Sequence, residues 1–573
     1  MMKDLKYIKK IIFEYKAKQI IAFICLIISS LFTYLLPYAM MRIIDHITKS
    51  SDIRIVLFYI IVYLLAAIIC NILILISNYS FLKIGRKFST ELKLKLCKHI
   101  ASLDGKYYVN AKAGELLTII EDDVEKIQSM FGKTMPTFFS DILTSIPIVI
   151  FAFSIEKRLV IIFLIVMPIV YAVQKYYIEK IYLFYKLCRK SISETNSVMQ
   201  EFVSQLLDII ALDAEKYFFS KINNRLLDVE KKHTKYGLIC YMRSFCFSIF
   251  SVIMAVIILG IGGYGVMQSS ITIGALIALV SNYSKIMTPF IRVSDFLSSY
   301  QECKVSLKRV NSVLEIFNSG IEGTENIGAV RKVSFHNVTF SYESSQKILQ
   351  DVTMKFEYGK VTALVGESGS GKTTIVNLLL RLWNPNEGII CINDKEINNV
   401  SRENIREMIS IVSQNTVLFD DTIYNNICLY DESIGKEQVI NICKECGIYD
   451  YISELPDGLD TIIGERGVKL SGGQKQRIEI VRALIRNKPI IVFDEATSAL
   501  DNNTESIIKE AIEKIKDTHI IILIAHRLST VENADMIYVL NQGQIVERGV
   551  HQQLIHLKGK YAELYMKNNG KVT

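Results

Sequence analysis

Two textures divide the chain. Residues 20–41 and 55–82 contain no charged side chain, and each run is long enough for the roughly 20 apolar residues that carry a helix across a hydrocarbon core. Residues 134–155 are apolar apart from Asp141. Residues 159–174 follow after the break Glu156-Lys157-Arg158, so the two runs read as a hairpin. Residues 244–284 are uncharged and too long for one crossing. Gly260, Gly262, Gly263 and Gly265, then Gln268-Ser269-Ser270, divide that run in two. The pattern predicts six spans, near 20–41, 55–82, 134–155, 159–177, 244–265 and 271–291, within a membrane domain of residues 1–315. The stretches after spans two and four mix apolar and charged positions at helical spacing with few breakers, and predict helices that run on beyond the bilayer. Short transverse turns are expected at their tips, near 110–122 and 207–221. Residues 316–331 have no period and carry Ser319-Gly320 and Gly323-Thr324, as a linker would. From 332 to 570, short β-rich runs alternate with helices, the pattern of an α/β domain on mostly parallel strands.

Composition agrees with a membrane protein. The 573 residues are 50% hydrophobic and 22% charged, with a mean hydropathy of +0.28. That disfavours a wholly soluble or a disordered chain. With only 29 Gly and 8 Pro, collagenous and low-complexity classes fail too. The net charge of +8 would suit a nucleic-acid partner if it were clustered on a soluble face. It sits instead in the two long loops, on residues such as Lys83, Arg86, Lys87, Lys93 and Lys98, whereas the loops after spans one, three and five hold few or no basic residues. The positive-inside rule then puts both termini and both long loops in the cytoplasm, at the cell membrane, and leaves no role for nucleic acid. The lysine-rich N-terminus precedes a long apolar run with no small-residue cleavage site, so the first span is expected to be retained. Eleven cysteines show no scaffold spacing. Cys443-Lys444-Glu445-Cys446 has no second pair or flanking His to complete a zinc site, so reduced, incidental thiols are expected.

The chemistry lies in the second half. Residues 361–365 form an apolar strand that runs into Gly366-Glu367-Ser368-Gly369-Ser370-Gly371-Lys372-Thr373-Thr374 and then an apolar helix. This is the phosphate-loop spacing in its required strand–loop–helix setting. Glycines let backbone N–H groups wrap phosphates, the helix N-terminus adds its positive end, Lys372 brings a charge to the β/γ-phosphates, and the Thr373 hydroxyl can ligate Mg²⁺. A second apolar run, 490–493, ends in Asp494-Glu495. The first acid can hold Mg²⁺ through water, and the second can polarise an attacking water. His526 follows a third such run. Ser471-Gly472-Gly473-Gln474 opens another helix and makes a second anion cradle. One domain thus carries two phosphate cradles and a single lysine-bearing loop, so the second cradle could serve a nucleotide held by another copy. The fold class expected is an all-α membrane domain of six transmembrane helices with long cytoplasmic extensions, followed by an α/β P-loop NTPase domain.

In this combination the chain resembles an ATP-binding cassette (ABC) exporter half-transporter over nearly its full length. The resemblance implies ATP and Mg²⁺ as ligands and ATP hydrolysis coupled to transport. It makes Tyr342 the aromatic that stacks on adenine, 366–373 the Walker A loop, Gln414 the Q-loop glutamine that senses Mg²⁺, and 471–474 the family signature. It further makes Asp494 and Glu495 the Walker B aspartate and catalytic glutamate, Asp501 the end of the D-loop, and His526 the switch histidine. Gly464-Glu465-Arg466-Gly467 is similar to the X-loop of exporters. A head-to-tail dimer follows, with two ATP molecules sandwiched between Lys372 of one copy and Ser471 of the other, and with the inner-loop tips as coupling helices. The favoured partner is a second copy, the alternative a similar half-transporter. Two departures stand in the signature helix, where Glu479 and Val481 replace residues that are usually small. Both are expected to face away from phosphate without loss of activity.

Polar residues within spans are candidates for the cargo path. Asp141 and Lys285 are expected to line an inward cavity, as partners, with Asn282 and Tyr283 nearby and Tyr34, Tyr38, Tyr79 and Tyr171 as an amphipathic wall. About 19 residues precede the first span, so no leader-cleaving peptidase domain is expected. The cargo class stays open among small amphipathic molecules, lipids and a processed peptide, exported within a setting of membrane lipid. Import of metal–siderophore complexes on the same architecture, or an ATP-gated channel or sensor, are the alternatives.

Overall fold

A computed structural model describes residues 16–49, 53–103, 105–110, 113–316, 323, 325–342, 347–414, 416–464, 467–494, 502–524 and 531–568. The chain divides into two units, Met1–Ala101 with Lys112–Ile316 and Ser102–Ala111 with Phe317–Thr573.

Among the described residues the first unit has six long helices: α1 (Lys16–Thr48), α2 (Ile53–Ser102), α3 (Met135–Ile155), α4 (Lys157–Ser204), α5 (Glu215–Met267) and α6 (Ile273–Leu314). The predicted spans fall on these helices to within two residues, and α2, α4 and α5 run far past their apolar runs, as the mixed spacing predicted; α6 also runs on, to Leu314. Pro37, Pro147, Pro168 and Pro289 sit inside α1, α3, α4 and α6, which apolar spans tolerate where neighbouring helices satisfy the freed carbonyls. The extensions of α4 and α5 lie antiparallel. Glu194 meets Arg225 at 2.7 Å, Glu201 meets Lys221 at 3.0 Å, and Ser191 donates to Asp228. Thr272 caps α6 through the Ala275 N–H at 3.1 Å. Next to it, the Gly274 N–H donates to Asp45 Oδ1 at 2.9 Å. A Cβ on Gly274 would lie 2.2 Å from the Met41 carbonyl, so only glycine lets α6 cross α1 this closely.

The expected turn near 110–122 is corrected. The short helix is Gly105–Asn110, and residues 119–123 and 130–134 are π-helical turns that lead coaxially into α3. Gly105–Asn110 belongs to the second unit. The Gly105 N–H donates to the Leu382 carbonyl at 2.8 Å, and a Cβ there would lie 2.6 Å from the Trp383 Nε1. The second tip is Leu206–Ala211, inside the expected range at its start.

Among the described residues the second unit holds two sheets. One is antiparallel, in the order β2-β1-β4-β5, from β1 (Lys332–Phe340), β2 (Leu349–Glu357), β4 (Glu387–Ile392) and β5 (Lys395–Glu396). The other runs β10-β9-β3-β8-β7-β6, from β3 (Lys360–Gly366), β6 (Ile409–Val412), β7 (Ile490–Asp494), β8 (Ile520–Ile524), β9 (Met536–Asn541) and β10 (Gln544–Gly549). In it β6, β7, β8, β3 and β9 are parallel, and only the β9–β10 hairpin is antiparallel. Every residue of β7 and β8 is buried, as a parallel sheet covered on both faces requires. Alternate residues feed two cores. Ala363, Val365, Phe493 and Leu523 pack on one face with Ile478, Ile480 and Val481 of α8 (Gly472–Ile485). Leu364, Val492, Ile522 and Ile524 pack on the other with Ile375, Val376 and Leu379 of α7 (Lys372–Leu379) and with β1 and β2.

Candidate functional site

The parallel strands bring the nucleotide motifs to one end of the sheet. Leu364 is level with Ile524, and Ile524 with Asp494, while Phe493 is level with Val412. The loop after Gly366, Gln414 and Asp494 therefore leave the sheet at the carboxyl ends of neighbouring strands, the place where open α/β sheets take their ligands. Glu495 and Asp501 lie outside the described residues, as does His526. Glu495 follows β7 directly, and His526 follows β8 after one residue.

The phosphate loop is held by its glycines. Gly369 and Gly371 have φ of +79° and +104°, values that side chains with a Cβ rarely adopt. A Cβ on Gly366 would lie 2.3 Å from the Leu540 carbonyl. The buried Lys372 ammonium donates to the carbonyls of Gly366 at 2.8 Å and Glu367 at 2.9 Å, so it lies across its own loop. Ser370 Oγ is buried with no hydrogen-bond partner among the described residues, an orphan donor that an anion in the loop would satisfy. Glu367, Ser368, Gly369 and Thr373 are exposed, while Thr374 is buried. Glu367 is ion-paired with Lys560 at 3.1 Å. Tyr342 packs edge-on against Trp383 and Phe340 at 4.8 and 4.9 Å, and its hydroxyl accepts from Asn377 Nδ2 at 3.2 Å. It is thus fixed on α7, one helix turn from the loop.

Asp494 is buried at the end of β7, and Gln414 is exposed just beyond β6. The donor set of Thr373, Gln414 and Asp494 is all oxygen, the kind a hard cation such as Mg²⁺ takes.

The signature residues are the N-terminus of α8. Ser471 Oγ accepts from the Gln474 N–H at 3.3 Å, and the Gln474 side chain accepts from the Ser471 N–H at 2.8 Å. This reciprocal cap leaves Gly472, exposed and with open space around it, and Gly473 beside it at the helix start. Because α7 and α8 pack on opposite faces of the sheet, the two cradles of one chain do not converge on one ligand.

Glu479, one of the two departures in the signature helix, is buried. It is 4% exposed, and its Oε1 accepts from Ser413 Oγ at 2.7 Å and from the Ser413 N–H at 3.2 Å. Its carboxylate thereby ties α8 to the residue before Gln414. The cysteines Cys443 and Cys446 are buried, with thiols pushed up to about 12 by burial, and no group of metal-ligating side chains forms among the described residues.

In the first unit, Asp141 and Lys285 line one cavity of about 410 Å³ between α1, α2, α3 and α6. They are not partners. Asp141 Oδ2 pairs with Arg292 Nε at 2.9 Å. Arg292 was missed because it follows span six. The signal was its place on the Lys285–Thr288–Arg292 stripe, at i, i+3 and i+7. Asn282 and Tyr283 face elsewhere: Asn282 is buried against Ala278, and the Tyr283 hydroxyl meets Ser251 Oγ at 2.7 Å. Tyr34 and Tyr38 stack on each other, while Tyr79 and Tyr171 are each 61% exposed on the outer faces of their helices.

Apolar helices fused to a phosphate-binding α/β unit define an ATP-driven, multi-pass membrane transporter. Comparison with known proteins bears this out. Residues 19–290 match the family model of the ABC transporter transmembrane region, and residues 349–498 that of the ABC transporter. An ATP-dependent lipid A-core flippase of Desulfotalea psychrophila is 32% identical over 565 residues, covering 97% of this chain and 97% of the relative. A Staphylococcus aureus protein assigned to multidrug export is 30% identical over 502 residues, covering 85% of each. The solved structure of a bacterial Atm1-family ABC exporter with ATP bound superposes with a TM-score of 0.80 at 25% identity, covering 98% of this chain and 99% of that one. The chain belongs to the ABC transporter family. It is an exporter-type half-transporter that binds and hydrolyses ATP.

Proposed function

We propose that the chain works as a homodimer that exports an amphipathic, lipid-like cargo by alternating access, with the cassette and both termini in the cytoplasm of the cell. The observation that carries the dimer is the placement of the two cradles on opposite faces of one sheet. A loop with a lysine and a cradle without one serve a shared ligand only if two chains meet head to tail. Cargo of this class is supported by the names of the lipid A-core flippase relatives and by the mixed polar and apolar wall of the membrane cavity.

In this reading Gly366–Thr374 wraps the phosphates, Lys372 exchanges its backbone carbonyls for phosphate oxygens, and Tyr342 offers a ring face to adenine. Thr373, Gln414 and Asp494 would hold Mg²⁺, which supplies charge neutralisation at the β/γ-phosphates. Glu495 accepts a proton from the attacking water, His526 orients the γ-phosphate, and Ser471–Gln474 of the second copy closes over it with Asp501. Closure turns the membrane cavity outward, and hydrolysis resets it. Gly105–Asn110 and Leu206–Ala211 transmit the movement.

The test is ATP-dependent uptake of a fluorescent amphiphile into inverted vesicles that carry the protein. Uptake is expected for the wild type and its loss for Lys372→Ala. Uptake only into right-side-out vesicles would make the protein an importer. Glu495→Gln is expected to stop hydrolysis and transport together, and transport without hydrolysis would favour a nucleotide-gated pore.

A further inference from the structure

The cavity between α1, α2, α3 and α6 has a charge pattern that restricts its ligand. Three charged groups of both signs line it: Asp141, Arg292 and Lys285. Asp141 and Arg292 neutralise each other at 2.9 Å. Lys285 is half-buried, and among the described residues no carboxylate pairs with it. Its titratable neighbour is the thiol of Cys70. The net charge facing the cavity is therefore one unpaired ammonium.

Lys285 sits about 18 Å along α6 from Ile273, at roughly 1.5 Å per residue, deep in the spanning part of the helix. An unpaired cation there is costly in a bilayer and is retained where a ligand or a water-filled path uses it.

The hydroxyls around it narrow the choice further. Thr144 donates to the Ser140 carbonyl at 2.9 Å, Thr288 to the Ser284 carbonyl at 3.0 Å, and Thr137 to the Lys133 carbonyl at 2.9 Å. Their protons are spent within their own helices, so their oxygens present only lone pairs to the cavity. These three hydroxyls offer an anion no donor, so the unpaired ammonium is its charged partner, with the amides of Asn71 and Asn78 as neutral donors on the same wall, while hydroxyl or amine groups beside the anion find acceptors. The volume, about 410 Å³, lies in the lower half of the roughly 300–1,000 Å³ typical of small-ligand pockets, which suits a headgroup. Leu36, Ala67 and Ile74 supply the apolar part of the wall.

We infer that this cavity is a charge-selective headgroup site, in which Lys285 is the counter-ion for a phosphate or carboxylate on an amphiphilic cargo. The inference rests on the transport reading above and names the cargo class within it.

The test measures binding directly, so that it is independent of transport. The full-length protein is placed in nanodiscs, and equilibrium binding of ³²P-labelled dodecyl phosphate is read for the wild type, Lys285→Met and Lys285→Arg. Unlabelled dodecanoate, dodecyltrimethylammonium, dodecyl maltoside and inorganic phosphate serve as competitors. The wild type is expected to bind dodecyl phosphate. Lys285→Met should weaken that binding at least about tenfold, as loss of a charged hydrogen-bond partner does, and Lys285→Arg should retain it. Dodecanoate should compete, whereas the cationic and neutral amphiphiles should not. Displacement by inorganic phosphate at equal concentration would show a free-anion site and overturn the headgroup assignment. Equal binding by the wild type and Lys285→Met, no binding by the wild type, or stronger competition by the cation would also overturn it. Size exclusion and retention by the arginine variant separate a lost counter-ion from a misfolded protein. If binding depends on Lys285 but no amphiphile crosses the membrane, the transport reading fails while the site stands.

Discussion

Glu479 offers the sharpest perturbation, because it links the signature helix to the loop that carries Gln414. Its carboxylate is 4% exposed and accepts two hydrogen bonds from Ser413, at 2.7 and 3.2 Å. Replacement by Ala removes both and also removes a buried charge that has no direct ion pair among the described residues. The terms oppose. Hydrogen bonds to a charged group contribute roughly 1.5–3 kcal/mol, whereas relief of carboxylate desolvation returns part of that. Ser413 is only half-buried, so water can serve the groups left behind. The net loss of stability is therefore expected to be about 1–2 kcal/mol, a fall of roughly 2–8 °C in the apparent melting of the cassette. The effect on turnover should be larger, because the lost bonds position Gln414. A loss of about 1.5 kcal/mol in positioning is roughly tenfold in rate. Glu479→Gln keeps an acceptor oxygen at Oε1 and should recover most of that rate. The assay is steady-state ATPase of the reconstituted protein at varied Mg²⁺, beside a thermal melt. An alanine variant that melts early yet keeps wild-type kcat and Mg²⁺ dependence would refute the positioning argument, because the bond would then only hold the fold together.

Gly274→Ala is expected to lower yield and stability by about 1–3 kcal/mol through overpacking, since its Cβ would lie 2.2 Å from the Met41 carbonyl, whereas Gly260→Ala, with nothing within 4 Å, should be neutral or stabilising. Paired thermal melts of the two variants check this. Burial lowers the Lys488 ammonium to about 8, where it donates to the carbonyls of Arg406 and Ile409. Folding then carries the full cost of that charge below about pH 8, and the cost is relieved as pH rises toward the ordinary lysine value of 10.5. The stability of the wild type relative to Lys488→Met should therefore climb across that window, and a flat difference would contradict it. Maleimide labelling of the native protein should modify the exposed Cys97 first and spare Cys443 and Cys446, whose thiols are buried and pushed up to about 12. Early labelling of either would refute the burial.

The spans were legible because each apolar run is nearly free of charge and bounded by it. The phosphate loop was legible because glycine, lysine and threonine at that spacing, set between an apolar strand and an apolar helix, seldom coincide unless a phosphate is to be wrapped. What the sequence concealed depends on three-dimensional proximity. Mixed apolar and charged positions read alike for an exposed tip and for a coaxial helix, so Gly105–Asn110 was passed over in favour of residues further on. The pairing of Asp141 with Arg292 rather than Lys285 depends on which turn of α6 faces α3, and span boundaries drawn from hydropathy ended before Arg292. The β1–β2–β4 sheet was merged into the parallel pattern because alternation along a strand does not reveal its neighbours. The bond between Glu479 and Ser413 spans 66 positions, so no spacing along one helix announces it.

The separation of α7 and α8 across the central sheet has a genetic consequence. In the proposed head-to-tail homodimer, an allele defective at Lys372 and one defective at Ser471 are each expected to be inactive when expressed alone. In a mixed pair of that dimer, both lesions would fall on the same nucleotide pocket, and the other pocket would be wild type throughout. Two dead alleles should therefore complement each other in one cell, whereas two alleles damaged in the same cradle should not.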